Sequence, residues 1–383
     1  MRSFFKNISF FTTVSLLLTA CNSGRAVLHY SLDTRSSAVA QTAMAHSSFF
    51  VGQTQAIVPV YVATSRNYEN NVIQPFGDKR SKQLHFALVD VAIPLIHRKG
   101  VVEKNGRQPN QDKHFIAVSF GLYTSRQTFK SALKTAIAHH TGKKKEIFLF
   151  IHGYNNNFAE STFRTAQIVH DYNIDAVIVH YAWPSGGEVG LYIYDRDSAD
   201  FARNGLTDLL QLLTEINANQ ITVVAHSMGN YVMMEALRTL SLKGQHQVIH
   251  RISSLLMAAP DIDVDVFEQQ LRDVRHLPKA TVVQISSVDK ALKISRKITG
   301  GHARLGDGSS IDFLQRHGIS VLDMSHVDGG THSVFASSPT LMALVKEGAL
   351  SHPVLQGDSG RLSNNTLLLY TPTGLFSWIR RYQ

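Results

Sequence analysis

The stretch Val223-Val224-Ala225-His226-Ser227-Met228-Gly229 decides how the rest of the chain is read. Its first half continues the apolar run of residues 221–225, which reads as a strand. Its second half opens a segment, 228–242, whose apolar residues repeat at helical spacing. The serine therefore sits where a strand turns directly into a helix. Such a turn must be sharp, so that the hydroxyl stands clear of the backbone above the sheet. It tolerates only small neighbours two residues before and two after. Ala225 and Gly229 occupy those places. Glycine is the usual residue at the first of them, so Ala225 is a departure of one methyl group.

Working outward, strands and helices alternate. Strands are expected at 147–151, 176–182, 221–225, 252–258, 281–286 and 319–324, and helices at 159–171, 197–216, 228–242 and 334–347. This alternation predicts the α/β class, with a mostly parallel central sheet flanked by helices. Upstream, apolar and Val-rich runs at 56–63, 83–93 and 114–120 read as strands, a β-rich N-terminal extension. A helix capped by Thr124 or Ser125 follows, with Phe129, Leu133, Ala136 and Ile137 on one face. There is no internal repeat.

A serine hydroxyl is a weak nucleophile until a neutral imidazole accepts its proton. That imidazole needs a carboxylate to fix its tautomer and stabilise its charged form. For a serine on this kind of turn the partners follow in the order acid, then histidine. Asp289, after the strand at 281–286, is the preferred acid, because it lies next to the last strand and its loop. Asp261, Asp263 and Asp265 read as helix-capping carboxylates. His332, in Gly329-Gly330-Thr331-His332-Ser333, is preferred as base over His326, with His302, His317 and His352 less well placed. The oxyanion that forms during attack needs fixed N–H donors. Met228, at the helix start, offers one, and Tyr154, after the strand end Ile151-His152-Gly153, offers the second. His152 itself reads as structural. Trp183, in Trp183-Pro184-Ser185-Gly186, is either a substrate wall or a core residue.

Composition narrows the remaining options. Of 383 residues, 44% are hydrophobic and 17% charged, enough apolar material for a sizeable core, and disorder, collagen and coiled coil are excluded. The net charge of +9 invites a nucleic-acid reading. The basic residues are dispersed, however, with one tight run at Lys143, Lys144 and Lys145, so no nucleic-acid partner is expected. The 19 histidines show no metal-ligand spacing. There is no phosphate loop or dinucleotide fingerprint, and no metal or other cofactor is expected.

The single cysteine, Cys21, excludes an internal disulfide framework. Residues 1–20 read as a signal peptide: Arg2 and Lys6 supply positive charge, and 8–18 is an apolar run too short to span a bilayer. Leu18-Thr19-Ala20-Cys21 resembles a bacterial lipobox, which implies a lipidated Cys21 and a membrane anchor. Asn22 in the next position implies an outer-membrane address facing the periplasm, within the bacterial cell envelope. Maturation would remove Arg2 and Lys6 and lower the charge from +9 to +7. The expected organisation is a signal at 1–20, a flexible tether at 21–55, one catalytic domain at 56–350 and a C-terminal tail at 351–383. The basic aromatic end, Phe376 to Arg381, is read as packing on the domain edge.

Several motifs in order carry a resemblance over roughly residues 56–350. They are Val60 to Arg66, Phe150-Ile151-His152-Gly153-Tyr154-Asn155, Trp183 to Gly186, Ala225 to Gly229, Asp289 to Leu292 with Ser295-Arg296, and His332-Ser333. The chain resembles the bacterial alpha/beta-hydrolases of uncharacterised substrate, often described as esterase- or lipase-like. The resemblance implies an alpha/beta-hydrolase fold and a triad of Ser227, Asp289 and His332; it supplies no substrate, and a small-molecule or lipid ester is the expectation. The expected activity is ester cleavage through an acyl-serine, falling off below roughly pH 6 to 7, the range of an unperturbed imidazole. The alternatives are an acyltransferase, or a non-catalytic envelope lipoprotein that uses the fold for binding.

Overall fold

In the computed structural model, the described residues are 24–28, 43–46, 53–71, 73–106, 109–140, 145–346, 366–371 and 374–379. The expected signal peptide and Cys21 lie outside them. The strands are β1 (Ala43–His46), β2 (Ala56–Tyr68), β3 (Phe76–Ile93), β4 (Ile116–Tyr123), β5 (Glu146–Ile151), β6 (Val177–Ala182), β7 (Gln220–His226), β8 (Ser254–Ala258), β9 (Ala280–Ile285), β10 (Ser320–Asp323), β11 (Thr366–Thr371) and β12 (Gly374–Ile379). The helices are α1 (Arg126–His139), α2 (Phe158–Asp171), α3 (Tyr192–Thr214), α4 (Gly229–Leu242), α5 (His246–His250), α6 (Val264–Val274), α7 (Lys290–Ile298), α8 (Ile311–Arg316), α9 (Val334–Ser337) and α10 (Pro339–Lys346).

All the strands join one sheet, in the order β1-β4-β3-β2-β6-β5-β7-β8-β9-β10-β11-β12. From β2 through β6, β5, β7, β8, β9 and β10 every pairing is parallel. Parallel strands need helical crossovers, and these cover both faces of the sheet. Successive residues of β5 therefore serve opposite layers: Ile147, Leu149 and Ile151 pack with α1, α3 and α4, whereas Phe148 and Phe150 pack with α2 and Phe335. The fold is that of an alpha/beta hydrolase, with mostly parallel strands between two helical layers.

The β-rich extension is continuous with this sheet. β2 and β3 form a long antiparallel hairpin, and β2 pairs in parallel with β6. The pairing of β2 with β3 shifts register between Thr64, Arg66 and Tyr68. That irregular, charged end explains why only the apolar halves of these strands are legible in sequence.

Three expectations are corrected. The tether read at 21–55 is not free throughout. Ala26 and Leu28 are fully buried, Arg25 pairs with Glu160 at 2.6 Å, and Ala43–His46 pairs with β4 as an edge strand. The buried side chains of Ala26 and Leu28 and the ion pair of Arg25 hold residues 24–28 down, and residues 43–46 are held by backbone pairing. The tail read at 351–383 contributes β11, which pairs antiparallel with β10, so the sheet continues past the boundary placed at 350. The helix read at 334–347 is two helices, because Pro339 interrupts the hydrogen-bond ladder.

Candidate active site

β7 ends at His226, and Ser227 makes the turn with φ +53°, in the left-handed region. For a non-glycine residue this costs about 1–2 kcal/mol, and the surroundings impose it. Ser227 N–H donates to Ala258 O at the end of β8 (3.0 Å), Asp261 N–H donates to Ser227 O (3.3 Å), and Asn230 Nδ2 bridges Ser227 O and Ala258 O (3.1 and 3.0 Å). Small neighbours are required here. A Cβ on Gly229 would lie 2.4 Å from His152 O, and one on Gly153 would lie 2.9 Å from Ser227 Cβ. The departure at Ala225 is absorbed, since its methyl group is fully buried in the core.

Asp289 and His332 come together as expected, with His332 Nδ1 2.7 Å from Asp289 Oδ2. The carboxylate is shut away from solvent, and the imidazole is 22% exposed. Asp289 also caps α7, accepting through Oδ1 from Ala291 and Leu292 N–H (2.8 and 3.1 Å). The loop carrying His332 is folded back by Gly329 and Gly330, both at positive φ, and Ser286 Oγ pins it by donating to Gly330 O (2.6 Å). His326, the other histidine of the loop, is exposed. Among the other acids, Asp263 caps α6. Asp261 accepts from Ser295 and Tyr192 and lies 3.4 Å from Arg304, so it is spent on a buried polar cluster.

The two expected oxyanion donors lie on the turns that meet at Ser227. Met228 precedes α4, and Tyr154 follows β5 and Gly153. Among the described residues no hydrogen bond engages either amide. Trp183 is corrected as a substrate wall. It is fully buried, its indole stacks on His152 with centroids 5.0 Å apart, and Nε1 donates to His152 O (2.6 Å). A large apolar ring is better accommodated under the turn than beside it. His152 has the structural place expected of it, with burial pushing its pKa well below the ordinary imidazole range.

Sequence reasoning missed the polar layer beneath the oxyanion turn. Arg66 is fully buried and donates to Ser185 O (3.0 Å), Gly77 O (2.8 Å) and Asn156 O (2.7 Å). Burial lowers it to about 10, against the opposing charge of Asp195. Asp195 accepts from Ser185 Oγ (2.5 Å), Gly186 N–H (2.6 Å) and Asn155 N–H (3.3 Å). The motifs at Arg66, Trp183 to Gly186 and Asn155 are thus one buried network, and their separation along the chain hides it. His226 was also missed. It abuts Phe335 and donates from Nε2 to the backbone oxygen of His332 (3.1 Å), holding the base loop from below. Burial, and then the proximity of His332, pushes its pKa well below the usual range.

Away from this site, His97, His170 and Asp171 bring three ligand-type atoms within 4.8 Å of one another. Their distance in sequence hides the group. Each ring nitrogen of His97 already meets a carboxylate, Glu103 or Asp171, both at 2.8 Å, which joins the loop after β3 to α2.

Several solved structures resemble this one. Esterase PE8 is 13% identical, with a TM-score of 0.38 over 55% of this chain and 94% of its own. Aspergillus fumigatus lipase B is 15% identical, with a TM-score of 0.36 over 63% of this chain and 61% of its own. A fungal esterase from Rhizomucor miehei is 10% identical, with a TM-score of 0.35 over 78% of this chain and 84% of its own. No curated protein matches the sequence. Residues 127–348, more than half of the chain and the part that carries Ser227, Asp289 and His332, match the family described as alpha/beta hydrolase of unknown function (DUF900), and the chain belongs to that family.

Proposed function

We propose that this protein is a serine hydrolase that cleaves a carboxylic ester through an acyl-Ser227 intermediate. The observation that carries the reading is the 2.7 Å contact between Asp289 Oδ2 and His332 Nδ1, taken together with a serine held at φ +53° on a strand-to-helix turn. With Nδ1 committed to the carboxylate, Nε2 is the basic nitrogen. Ser227 Oγ attacks the ester carbonyl carbon while its proton passes to His332 Nε2. Asp289 holds the tautomer and stabilises the imidazolium. The negative charge that moves onto the carbonyl oxygen is met by the N–H groups of Met228 and Tyr154. Collapse breaks the bond to the leaving oxygen, which takes the proton from His332. Water then attacks the acyl-enzyme, again losing its proton to His332, and as the bond to Ser227 Oγ breaks, His332 returns that proton to Oγ, releasing the carboxylic acid and the free serine.

The same reading places the chain on a membrane through a lipidated Cys21, in a bacterial envelope. It is supported by the composition of residues 1–21, and Arg25, four residues after Cys21, bonds Asn155 next to Tyr154. The anchor would then enter from the side of the site.

A fluorophosphonate probe tests the chemistry. Folded wild type should be labelled, and labelling should vanish in Ser227→Ala. An unlabelled, folded wild type would overturn the proposal. A series of p-nitrophenyl esters of graded acyl length then defines the acyl group by its kcat/KM.

A further inference from the structure

Helix α7, Lys-Ala-Leu-Lys-Ile-Ser-Arg-Lys-Ile, contains no acidic residue. Leu292 and Ser295 are its buried side. Ile294 and Ile298, one turn apart, lie on the outward side next to Lys290, Lys293 and Lys297. Both isoleucines are more than half exposed. Arg296 leans toward Asp307 at 3.7 Å, and among the described residues no salt bridge holds the three lysines. An apolar stripe beside a lysine stripe is the composition of a helix that lies on a charged lipid surface.

The neighbouring segments continue the pattern. Val189 and Ile193 are exposed, the latter 76%. They flank Tyr192, which converges with Ser295 on the two oxygens of Asp261 (3.0 and 2.6 Å), so the start of α3 adjoins α7. Tyr154 donates its hydroxyl to Val189 O, which ties the same rim to the oxyanion turn. Val288 is exposed at the start of α7 and packs on Gly330 of the base loop. Glu188 and Asp197 are the acids beside Val189 and Ile193, so positive charge is concentrated on α7. Arg25, near the start of the described residues, also lies on this side, since it bonds Asn155. No helix among the described residues is long and apolar enough to cross a membrane, so contact would be peripheral.

We propose that this rim seats the protein on an anionic lipid surface, with Ile193, Ile294 and Ile298 entering the headgroup–acyl boundary and the α7 lysines meeting lipid phosphates. The ester that reaches Ser227 is then drawn from that surface. Only this last clause rests on the hydrolase reading.

The test uses the full chain with Cys21→Ser and Ser227→Ala, carrying one reporter cysteine labelled with NBD. The reporter is placed by Ile294→Cys on the rim, or by Leu242→Cys at the far end of α4, which at 1.5 Å per residue is about 20 Å from the elbow. With phosphatidylglycerol vesicles the 294 reporter should blue-shift and the 242 reporter should not. Replacing Lys290, Lys293 and Lys297 by Gln should lower vesicle partition on the order of 100-fold, at roughly tenfold or less per charge. No shift at 294, an equal shift at 242, or the same response to phosphatidylcholine vesicles would overturn the proposal. Because Ser227 is absent, failure here leaves the hydrolase reading to be judged separately by fluorophosphonate labelling of the wild type in solution.

Discussion

Asp289 divides its two carboxylate oxygens between two tasks: Oδ1 caps helix α7, and Oδ2 meets His332 Nδ1 at 2.7 Å. The cap fixes where the second oxygen points, so helix and base loop are set by one side chain. Asp289→Asn separates the tasks. The amide oxygen can keep the cap, while the NH2 group faces His332 and forces the opposite tautomer. Turnover of a p-nitrophenyl ester should fall by about 10⁴, as expected for loss of the correct tautomer, with little change in Tm. Asp289→Ala should add about 1 kcal/mol of destabilisation from the lost cap. Equal activity of Asp289→Asn and wild type would remove the acid from the mechanism.

Gly330 is a second point where the base loop is fixed. Its φ is +55°, and an added Cβ would lie 2.5 Å from Val288 Cγ2, 2.8 Å from Ser286 Oγ and 3.0 Å from Ser325 O. Two of these neighbours could give only by displacing the loop. Gly330→Ala is therefore expected to destabilise by about 1–3 kcal/mol and to lower kcat, because His332 is two residues away. Gly301→Ala shares the positive φ but meets nothing within 4 Å, and it serves as the control for backbone strain alone. If the two variants lose the same activity, crowding at the loop is not the cause.

The contrast between these glycines and the network under the oxyanion turn shows what a sequence discloses. Strand-to-helix alternation from β5 to β10 is legible because each element buries a periodic set of apolar residues. The turn at Ser227 and the position of Asp289 are legible because each lies within a few residues of a strand end, and His332 because it lies on the glycine-bearing loop between the strand ending at Asp323 and the helix starting at Val334. Arg66, Asp195 and His226 are not, since their partners stand far away in sequence and only the closed sheet brings them together. Arg25 is hidden for another reason. It sits in a polar stretch whose two buried residues, Ala26 and Leu28, are too few to show a period.

That docked segment has a testable consequence. Arg25 bonds Glu160 Oε2 (2.6 Å), Asn155 O (3.2 Å) and Asn155 Oδ1, and Asn155 holds φ +59° directly after the proposed donor Tyr154. Glu160 keeps Lys104 (2.8 Å) and its cap on α2 without Arg25. The loss should therefore fall on the turn rather than the helix. Arg25→Ala is expected to lower kcat by about tenfold, the scale of a small misplacement of a catalytic group, with KM and Tm moving little. A variant that unfolds, or one with unchanged kcat, would show that the segment does not position the turn.

Two buried histidines, His152 and His180, and the half-buried His226 are expected to set the acid side of the fold's stability. Burial pushes His152 and His226 well below the ordinary imidazole range and His180 down to about 3. In the unfolded chain each takes a proton near pH 6.5, give or take about a unit, while the folded chain excludes it. The unfolded state then binds more protons, so stability is fully present above that pH and is lost as pH falls toward the folded values. The slope approaches roughly 4 kcal/mol per pH unit if all three contribute fully. His97 works in the other direction. Burial opposes its charged form, but the hydrogen bonds it donates to Asp171 and Glu103 outweigh that and raise it. Its contribution is present below the unfolded value and is lost as pH rises through the raised one. Urea unfolding from pH 8 to 5 should thus show stability highest near neutrality, with a steep acid side. In His180→Asn the proton uptake on unfolding at pH 5, measured by calorimetry in buffers of different ionisation enthalpy, should drop by about one. Stability that is flat between pH 7 and 5 would mean that these rings are protonated, or solvated, in the folded protein.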